Sequence, residues 1–233
     1  HLPEVNFGSD KDNNQFSKAL LKETCRRKGR EYTKEDIIGT LRAKGIEFSE
    51  TTRGGGATVV APGQYIFYPI VDHKALTNGK TDVTAYKRLI DQILYNVIKQ
   101  WNVPNLGIAQ GTITTAQGTR ERRDVWTTVD GKSYKIGSKG VQLGKTATQG
   151  GFVIYAEKTG VDPFKWVHAC GYRPEEVGVI SIEETTGKKP DREVIRKQVQ
   201  EEVMRIFNYT HLVPLRLDEI AKQEEIHAAT QYR

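Results

Sequence analysis

The sequence predicts an α+β fold, a mixed β-sheet with flanking helices. Two long stretches, residues 82–102 and 190–207, carry apolar residues at helical spacing. Short β-prone runs precede and separate them, bounded by turn signals such as Pro62-Gly63-Gln64 and Asp130-Gly131. At 37% hydrophobic and 27% charged, the 233 residues hold ample apolar material for a core.

The elements follow in order. Residues 2–8 read as a short strand ending in a glycine turn. Residues 10–30 are polar and charged, with Phe16, Ala19, Leu20 and Cys25 at roughly helical spacing. Thr33, followed by Lys34, Glu35 and Asp36, reads as an N-cap with acidic first-turn residues; its helix runs to Lys44 and stops at Gly45. Residues 46–51 alternate apolar and polar, a strand leading into Arg53-Gly54-Gly55-Gly56. Two β-prone runs follow, 57–61 and 65–71, with Pro62-Gly63-Gln64 between them. Residues 73–80 read as a loop carrying Asn78-Gly79. Along 82–102, Val83, Tyr86, Ile90, Leu94, Val97 and Trp101 form one apolar stripe, which is core packing.

Residues 103–124, rich in Gly, Thr, Gln and Arg, read as a long loop or an insertion. Val125–Val129 and 135–143 read as the arms of a hairpin closed by Asp130-Gly131, and 150–156 as a further strand after a Thr148-Gln149-Gly150 turn. Asp162-Pro163-Phe164 opens a short helical turn ending near Cys170-Gly171. Helix 190–207 presents Ile195, Val199, Val203 and Ile206. Residues 1–207 are thus expected as one domain and 208–233 as a charged tail with an apolar patch at 212–217, helical from Asp218. His1 stands directly before a strand-like segment, so an incomplete start with any targeting peptide missing is expected.

The formal net charge is +6. It allows an acidic partner, but the charge is dispersed, with Arg26-Arg27-Lys28 and Arg120 to Arg123 the tightest clusters and no interleaved aromatics. A solvated basic surface is favoured over nucleic-acid binding. No run of eighteen apolar residues exists, so no membrane span is expected. The two cysteines, Cys25 and Cys170, are too few for a disulfide framework and lack metal-site spacing. Five histidines are scattered singly, so no metal and no cofactor are expected, and no P-loop or GxSxG is present.

Chemistry has two candidate centres. Cys170, in His168-Ala169-Cys170-Gly171-Tyr172, lies on a turn beyond a short helix; to act as a nucleophile it needs a nearby cation or base. Lys135, in Lys135-Ile136-Gly137-Ser138-Lys139-Gly140, starts a strand and is followed by small residues that let a substrate approach. On spacing alone a buried inert thiol and a solvated lysine are favoured over a Cys–Lys pair. The glycines at 54–56 read either as a pocket wall or as a hairpin turn. Cys25, among Lys22, Arg26 and Arg27, reads as an incidental helix-face thiol.

Taken together and in order, these segments resemble the octanoyltransferase (lipoate-protein ligase B) family, of the biotin/lipoate protein ligase fold. Residues 1–8, HLPEVNFG, are similar to its His-Pro-Pro segment; Arg53-Gly54-Gly55 through Pro62-Gly63-Gln64 and Tyr68-Pro69-Ile70-Val71-Asp72 to its substrate loop and following strand. Val125-Trp126, Asp130-Gly131 and Lys135-Ile136 through Gly140 are similar to its lysine-bearing hairpin. Thr148-Gln149-Gly150, Pro163-Phe164 and Cys170-Gly171-Tyr172 are similar to its cysteine-bearing end. The resemblance spans about residues 1–207.

The resemblance implies an acyltransferase that takes an octanoyl group from acyl carrier protein as a cysteine thioester. The acyl group then passes to a lysine of lipoyl domains, on 2-oxoacid dehydrogenases or the glycine cleavage H protein. It implies Cys170 as nucleophile and Lys135 as its activator. Arg53, Gly54, Gly55, Gly56, Ala57, Thr58, Val59, Val60, Ser138, Lys139, Gly140, Gly150, Gly151 and Phe152 would line the acyl and lysine pocket. With its insertions, the chain is expected in the mitochondrial matrix, otherwise in the cytoplasm. Val59-Val60-Ala61 stands where the family reads Tyr-His-Gly, Gln149 where it has a second histidine, and Ala169 where it has a proline. A second reading therefore stays open, a catalytically impaired relative serving as a structural or binding subunit of a larger mitochondrial assembly. An ATP-dependent ligase of free lipoate fits the Cys–Lys pair less well.

Overall fold

The computed structural model describes residues 2–7, 16–29, 31–50, 57–109, 112–115, 118–121, 124–145, 147–168, 177–211 and 213. Strand β1 (Glu4–Phe7) is followed by helices α1 (Lys18–Lys28) and α2 (Lys34–Arg42). Ser17 caps α1 through Leu20 N, and the expected Thr33 cap of α2 closes as a capping box with Asp36. The basic triplet Arg26-Arg27-Lys28 forms the last turn of α1, where cations oppose the helix dipole. Strands β2 (Glu47–Glu50) and β3 (Thr58–Val60) complete a small mixed sheet of order β2-β1-β3, with β1 parallel to β2 and antiparallel to β3.

Strand β4 (Gln64–Phe67), the one-turn helix α3 (His73–Leu76) and helix α4 (Val83–Lys99) come next. The sequence predicts a loop over 73–80, but its first four residues form a helical turn. Asp72 caps α3 with a carboxylate that accepts from Lys74 N and Ala75 N, and Asn78 and Gly79, both at positive φ, then turn the chain. Residues 103–124, read as a loop or an insertion, hold β5 (Gly107–Ile108) and the hairpin β6 (Thr112–Thr115) with β7 (Gly118–Glu121). Strand β8 (Val125–Val129) turns through Asp130 and Gly131, both at positive φ, into the twelve-residue β9 (Lys132–Leu143). Lys135 is therefore the fourth residue of its strand, not the first. Strand β10 (Thr148–Tyr155) takes in Thr148-Gln149-Gly150, so that expected turn is paired strand. A 3₁₀ segment, Asp162–Trp166, strand β11 (Gly178–Val179), helix α5 (Ile182–Thr186) and helix α6 (Arg192–Ile206) follow.

The larger sheet runs β4-β10-β9-β8-β5, with β11 parallel to β9. One face packs on α4 and α6, where Tyr86, Ile90, Leu94, Val97 and Ile98 meet Val125, Ile136, Phe152 and Ile154, with Ile195 and Val199 behind. Gly137 lets α4 lie close, since a Cβ there would sit 3.2 Å from Ile98 Cδ1 and Leu94 Cδ2. The opposite face of the larger sheet, through Val153, Tyr155 and Val179, joins a second core with the small sheet, α1 and α2. The mixed sheet with flanking helices is as the sequence predicts.

Pro62-Gly63-Gln64 fastens the link between β3 and β4 to the segment that follows β10. Gly63 has φ +90, and its carbonyl accepts from Ala156 N (3.2 Å) and Glu157 N (2.9 Å). The Gln64 amide donates to Gly160 O at 2.7 Å. No side chain fits at Gly63, because a Cβ would stand 2.6 Å from Thr159 Oγ1 and 2.9 Å from Gly160 N.

Candidate active site

A cavity of about 530 Å³ opens between the two sheets. Thr58, Val59 and Val60 of β3 form one wall; Lys135, Ser138, Lys139 and Gly140 of β9 and Gly150, Gly151 and Phe152 of β10 form another. The 3₁₀ segment closes it with Val161, Asp162, Phe164 and Lys165, and α5 contributes Glu184. Ten sequence-predicted residues are thus brought together. Ala57 is buried in the second core instead, where β3 packs inward. The Phe152 ring turns away from the cavity into the α4 core and stacks on Phe67 at 5.4 Å. Arg53, Gly54, Gly55, Gly56 and Cys170 lie outside the described residues.

The glycines of the walls have different reasons to be glycine. At Gly150 a Cβ would strike Gly140 O at 2.1 Å, and at Gly151 it would strike Phe67 O at 2.0 Å. Close strand packing accounts for both. Gly140 has nothing within 4 Å of its missing Cβ, so no neighbour in the fold requires its smallness.

Lys135 is 6% exposed and lies between β8 and β11, opposite Trp126 and Val179. Its Nζ donates to Asp124 Oδ2 at 2.6 Å and lies 5.8 Å from the centre of the Trp126 ring. Asp124, 5% exposed and at φ +75, closes the chain's entry into β8. Beyond Val125, β9 runs on without β8 beside it, and the backbone N–H of Lys139 donates to Asp124 Oδ1 at 3.1 Å. Lys139 Nζ reaches the same oxygen at 3.3 Å and also pairs with Asp91 on α4. Two ammoniums and two carboxylates thus form one buried network.

Burial pushes the Asp124 carboxyl up, but attraction from Lys135 and Lys139 and the hydrogen bonds they donate outweigh it and hold the acid below its ordinary value. For Asp91 burial prevails, so its carboxyl lies above the ordinary value despite Lys139. Ser138 adds a buried Oγ with no hydrogen-bond partner among the described residues, an uncommitted hydroxyl on the cavity wall. The arrangement offers a partly apolar chamber whose β9 wall carries the buried, carboxylate-paired Lys135 and Lys139.

Sequence reasoning missed Asp124, which it left at the end of the supposed insertion. The signal was in the hairpin. A two-residue turn at Asp130-Gly131 sets Trp126 opposite Lys135, and strand side chains share a face every second residue. Asp124 therefore falls on the face of Trp126, diagonal to the lysine. Among the described residues no group of three or more His, Cys, Asp or Glu could hold a metal, and no helix is long and apolar enough to cross a membrane.

Residues 26–204 match the family described as the lipoyl protein ligase A/B catalytic domain. An octanoyltransferase of Myxococcus xanthus is 33% identical over 165 residues, 69% of this chain and 42% of that protein. One of Koribacter versatilis is 31% identical over 163 residues, 69% of this chain and 59% of that protein. The chain spans about half the length of these relatives. A crystal structure of lipoate-protein ligase A bound with ATP superposes with a TM-score of 0.61 at 13% identity, over 97% of this chain and 78% of that one, a likeness of fold alone.

Proposed function

Since the chain belongs to the lipoyl protein ligase A/B catalytic-domain family, we propose that it is an octanoyltransferase of protein lipoylation. The donor is octanoyl-acyl carrier protein, and the acceptor is a lysine of a lipoyl domain, on a 2-oxoacid dehydrogenase or the glycine cleavage H protein. The mitochondrial matrix is the proposed compartment. One observation carries the reading: a buried lysine, paired with a carboxylate at 2.6 Å, lines an otherwise largely apolar cavity. The family's named activity needs both a place for an acyl chain and a proton carrier beside the reacting thioester.

The Cys170 thiolate attacks the carbonyl carbon of the octanoyl thioester, an S–C bond forms, and the carrier's thiolate leaves with a proton from the Lys135 ammonium. The lipoyl-domain amine then attacks the enzyme thioester. The new N–C amide bond expels the Cys170 thiolate, and the amine's surplus proton returns to Lys135. A thiolate suits both roles, as strong nucleophile and good leaving group.

The test is incubation with octanoyl-acyl carrier protein and intact-mass measurement. An octanoyl adduct absent from Cys170→Ser is expected; an enzyme that gains no adduct refutes the reading. One observation favours a second reading, a binding subunit without turnover. Val59 is buried and Val60 half exposed, so β3 brings no titratable group to the cavity. Stable incorporation into a larger assembly together with no transfer would support it.

A further inference from the structure

We propose that Asp124 is a positioning residue of this site: it fixes the Lys135 ammonium at the cavity wall and ties it, through Lys139 and Asp91, to helix α4. The proposal rests on the transfer reading above. Its ground is how fully the carboxylate is committed. Oδ1 accepts the Lys139 backbone N–H at 3.1 Å and the Lys139 ammonium at 3.3 Å, which sets the plane of the carboxylate. Oδ2 is then left facing Lys135 Nζ at 2.6 Å. A lysine stem has many rotamers of similar energy. A fixed acceptor on one side and the Trp126 ring on the other select the one that ends at the cavity.

The β-bulge opposite Val125/Trp126 is part of the device. It inserts one residue into β9 between Lys135 and Gly137. Ile136 and Gly137 consequently both meet the α4 side, while Lys135 and Ser138 line the cavity. Lys139 then reaches Asp91 on α4, and its backbone N–H meets Asp124 where β8 has ended. Left-handed backbone at Asp124 is tolerated by aspartate better than by most residues, and it aims the carboxylate at this junction.

The chemical consequence concerns the amine's charge in the resting enzyme, before the acyl donor arrives. Burial by itself favours a neutral amine, and an ionised carboxylate at 2.6 Å favours the ammonium. Asp124 therefore keeps Lys135 cationic when the cavity is dry, which is the state that steadies a thiolate and can protonate a leaving thiol. Among the described residues, the other charged groups facing Lys135 are Lys139, Asp91 beyond it, Lys132 on the same strand, and Asp162, Lys165 and Glu184 across the cavity. Asp124 is the one whose oxygen bonds the Lys135 ammonium in this set.

The experiment uses the full chain with Cys25→Ser, which leaves Cys170 as the remaining thiol of two. Alkylation by iodoacetamide is followed by intact mass across pH in the parent, Asp124→Asn, Asp124→Glu, Lys135→Met and the Asp124→Asn/Lys135→Met pair. Asp124→Asn is expected to move the reactivity midpoint upward, with about tenfold slower alkylation at pH 7 for each unit moved. Asp124→Glu should recover part of it, and the double variant should match Lys135→Met alone. A midpoint moved by Lys135→Met and untouched by Asp124→Asn overturns the proposal. So does an Asp124→Asn effect that persists in full without Lys135. A midpoint that Lys135→Met itself leaves unmoved overturns instead the pairing of Cys170 with Lys135. Should Asp124→Asn fail to fold, the charge-retaining Asp124→Glu decides, its unchanged midpoint counting against Asp124.

Discussion

Gly63→Ala is the substitution whose cost can be worked most directly from the geometry. The residue sits at φ +90, and an added Cβ would meet Thr159 Oγ1 at 2.6 Å, Glu157 Cβ at 2.8 Å and Gly160 N at 2.9 Å. The threonine hydroxyl can swing aside. Gly160 cannot, because its N–H is bonded to Glu157 O at 2.9 Å and its carbonyl accepts the Gln64 amide at 2.7 Å. A left-handed conformation costs an L-residue about 1–2 kcal/mol, and overpacking a close contact costs about 1–3 kcal/mol more. At about 2–4 °C per kcal/mol for a chain of this size, Tm should fall by roughly 4–20 °C. Gly140→Ala is the control, since its Cβ meets nothing within 4 Å at an ordinary φ; its stability should be unchanged or slightly higher. Calorimetric melts of both variants beside wild type read the contrast. A Gly63→Ala melt within about 2 °C of wild type refutes the reasoning, because neither strain term could then be present.

Two further expectations follow from other contacts. Thr148→Val keeps the side chain's shape but removes a buried hydroxyl that donates to Pro69 O at 2.7 Å and accepts from Val71 N at 3.0 Å; stability should drop by about 1–3 kcal/mol in a denaturant melt, with Thr148→Ser recovering most of it. Burial and then the hydrogen bond it donates to Glu157 at 2.9 Å push the Tyr65 phenol up to about 12. A raised value means that its contribution to stability is present below the ordinary phenol pKa near 10 and is lost as pH rises toward 12. Burial also raises the Tyr86 phenol, so absorbance titration should show more than one tyrosine ionising late, and Tyr65→Phe should lower the late amplitude by one tyrosine and flatten the alkaline loss of stability.

The parts of the fold legible in the sequence are those decided locally. Thr33 with Asp36, the apolar stripe through Tyr86 and Ile90, and the Asp130-Gly131 turn each carry their own geometry within a few residues, and each element forms accordingly. The parts that were not legible depend on partners far along the chain. Residues 107–108 are strand because β8 supplies an edge for them, with Gly107 opposite Trp126. Thr148-Gln149-Gly150 has turn chemistry but lies opposite Gln142 and its neighbours, so the ladder overrides local preference. The same holds for the site. The residue types at Lys135 and Ser138 could be singled out, but Asp124 acquires its role only when the bulge places Lys139 N–H over the end of β8. Gly63, which by itself reads as a turn between two β-prone runs, acts as a clamp because Gly160, 97 residues on, occupies the space a side chain would need.

The two sides of the cavity argue together for the kind of ligand it holds. The β3 wall gives Thr58, Val59 and Val60, and Ile66, Val153 and Phe164 extend its apolar surface. The β9 wall carries Lys135 with its bonded carboxylate and the uncommitted Ser138 hydroxyl. A uniformly polar ligand would leave the first surface without partners and gain nothing for the water displaced from it. A purely apolar ligand would bury the Lys135 side against groups that cannot hydrogen-bond, which costs free energy. A molecule with an alkyl chain and one reacting carbonyl end satisfies both, the chain on the valines and the carbonyl toward Lys135 and Ser138. With Thr58, Val59 and Val60 on β3, the buried ion pair of the cavity wall lies on the opposite side, between Lys135 and Asp124.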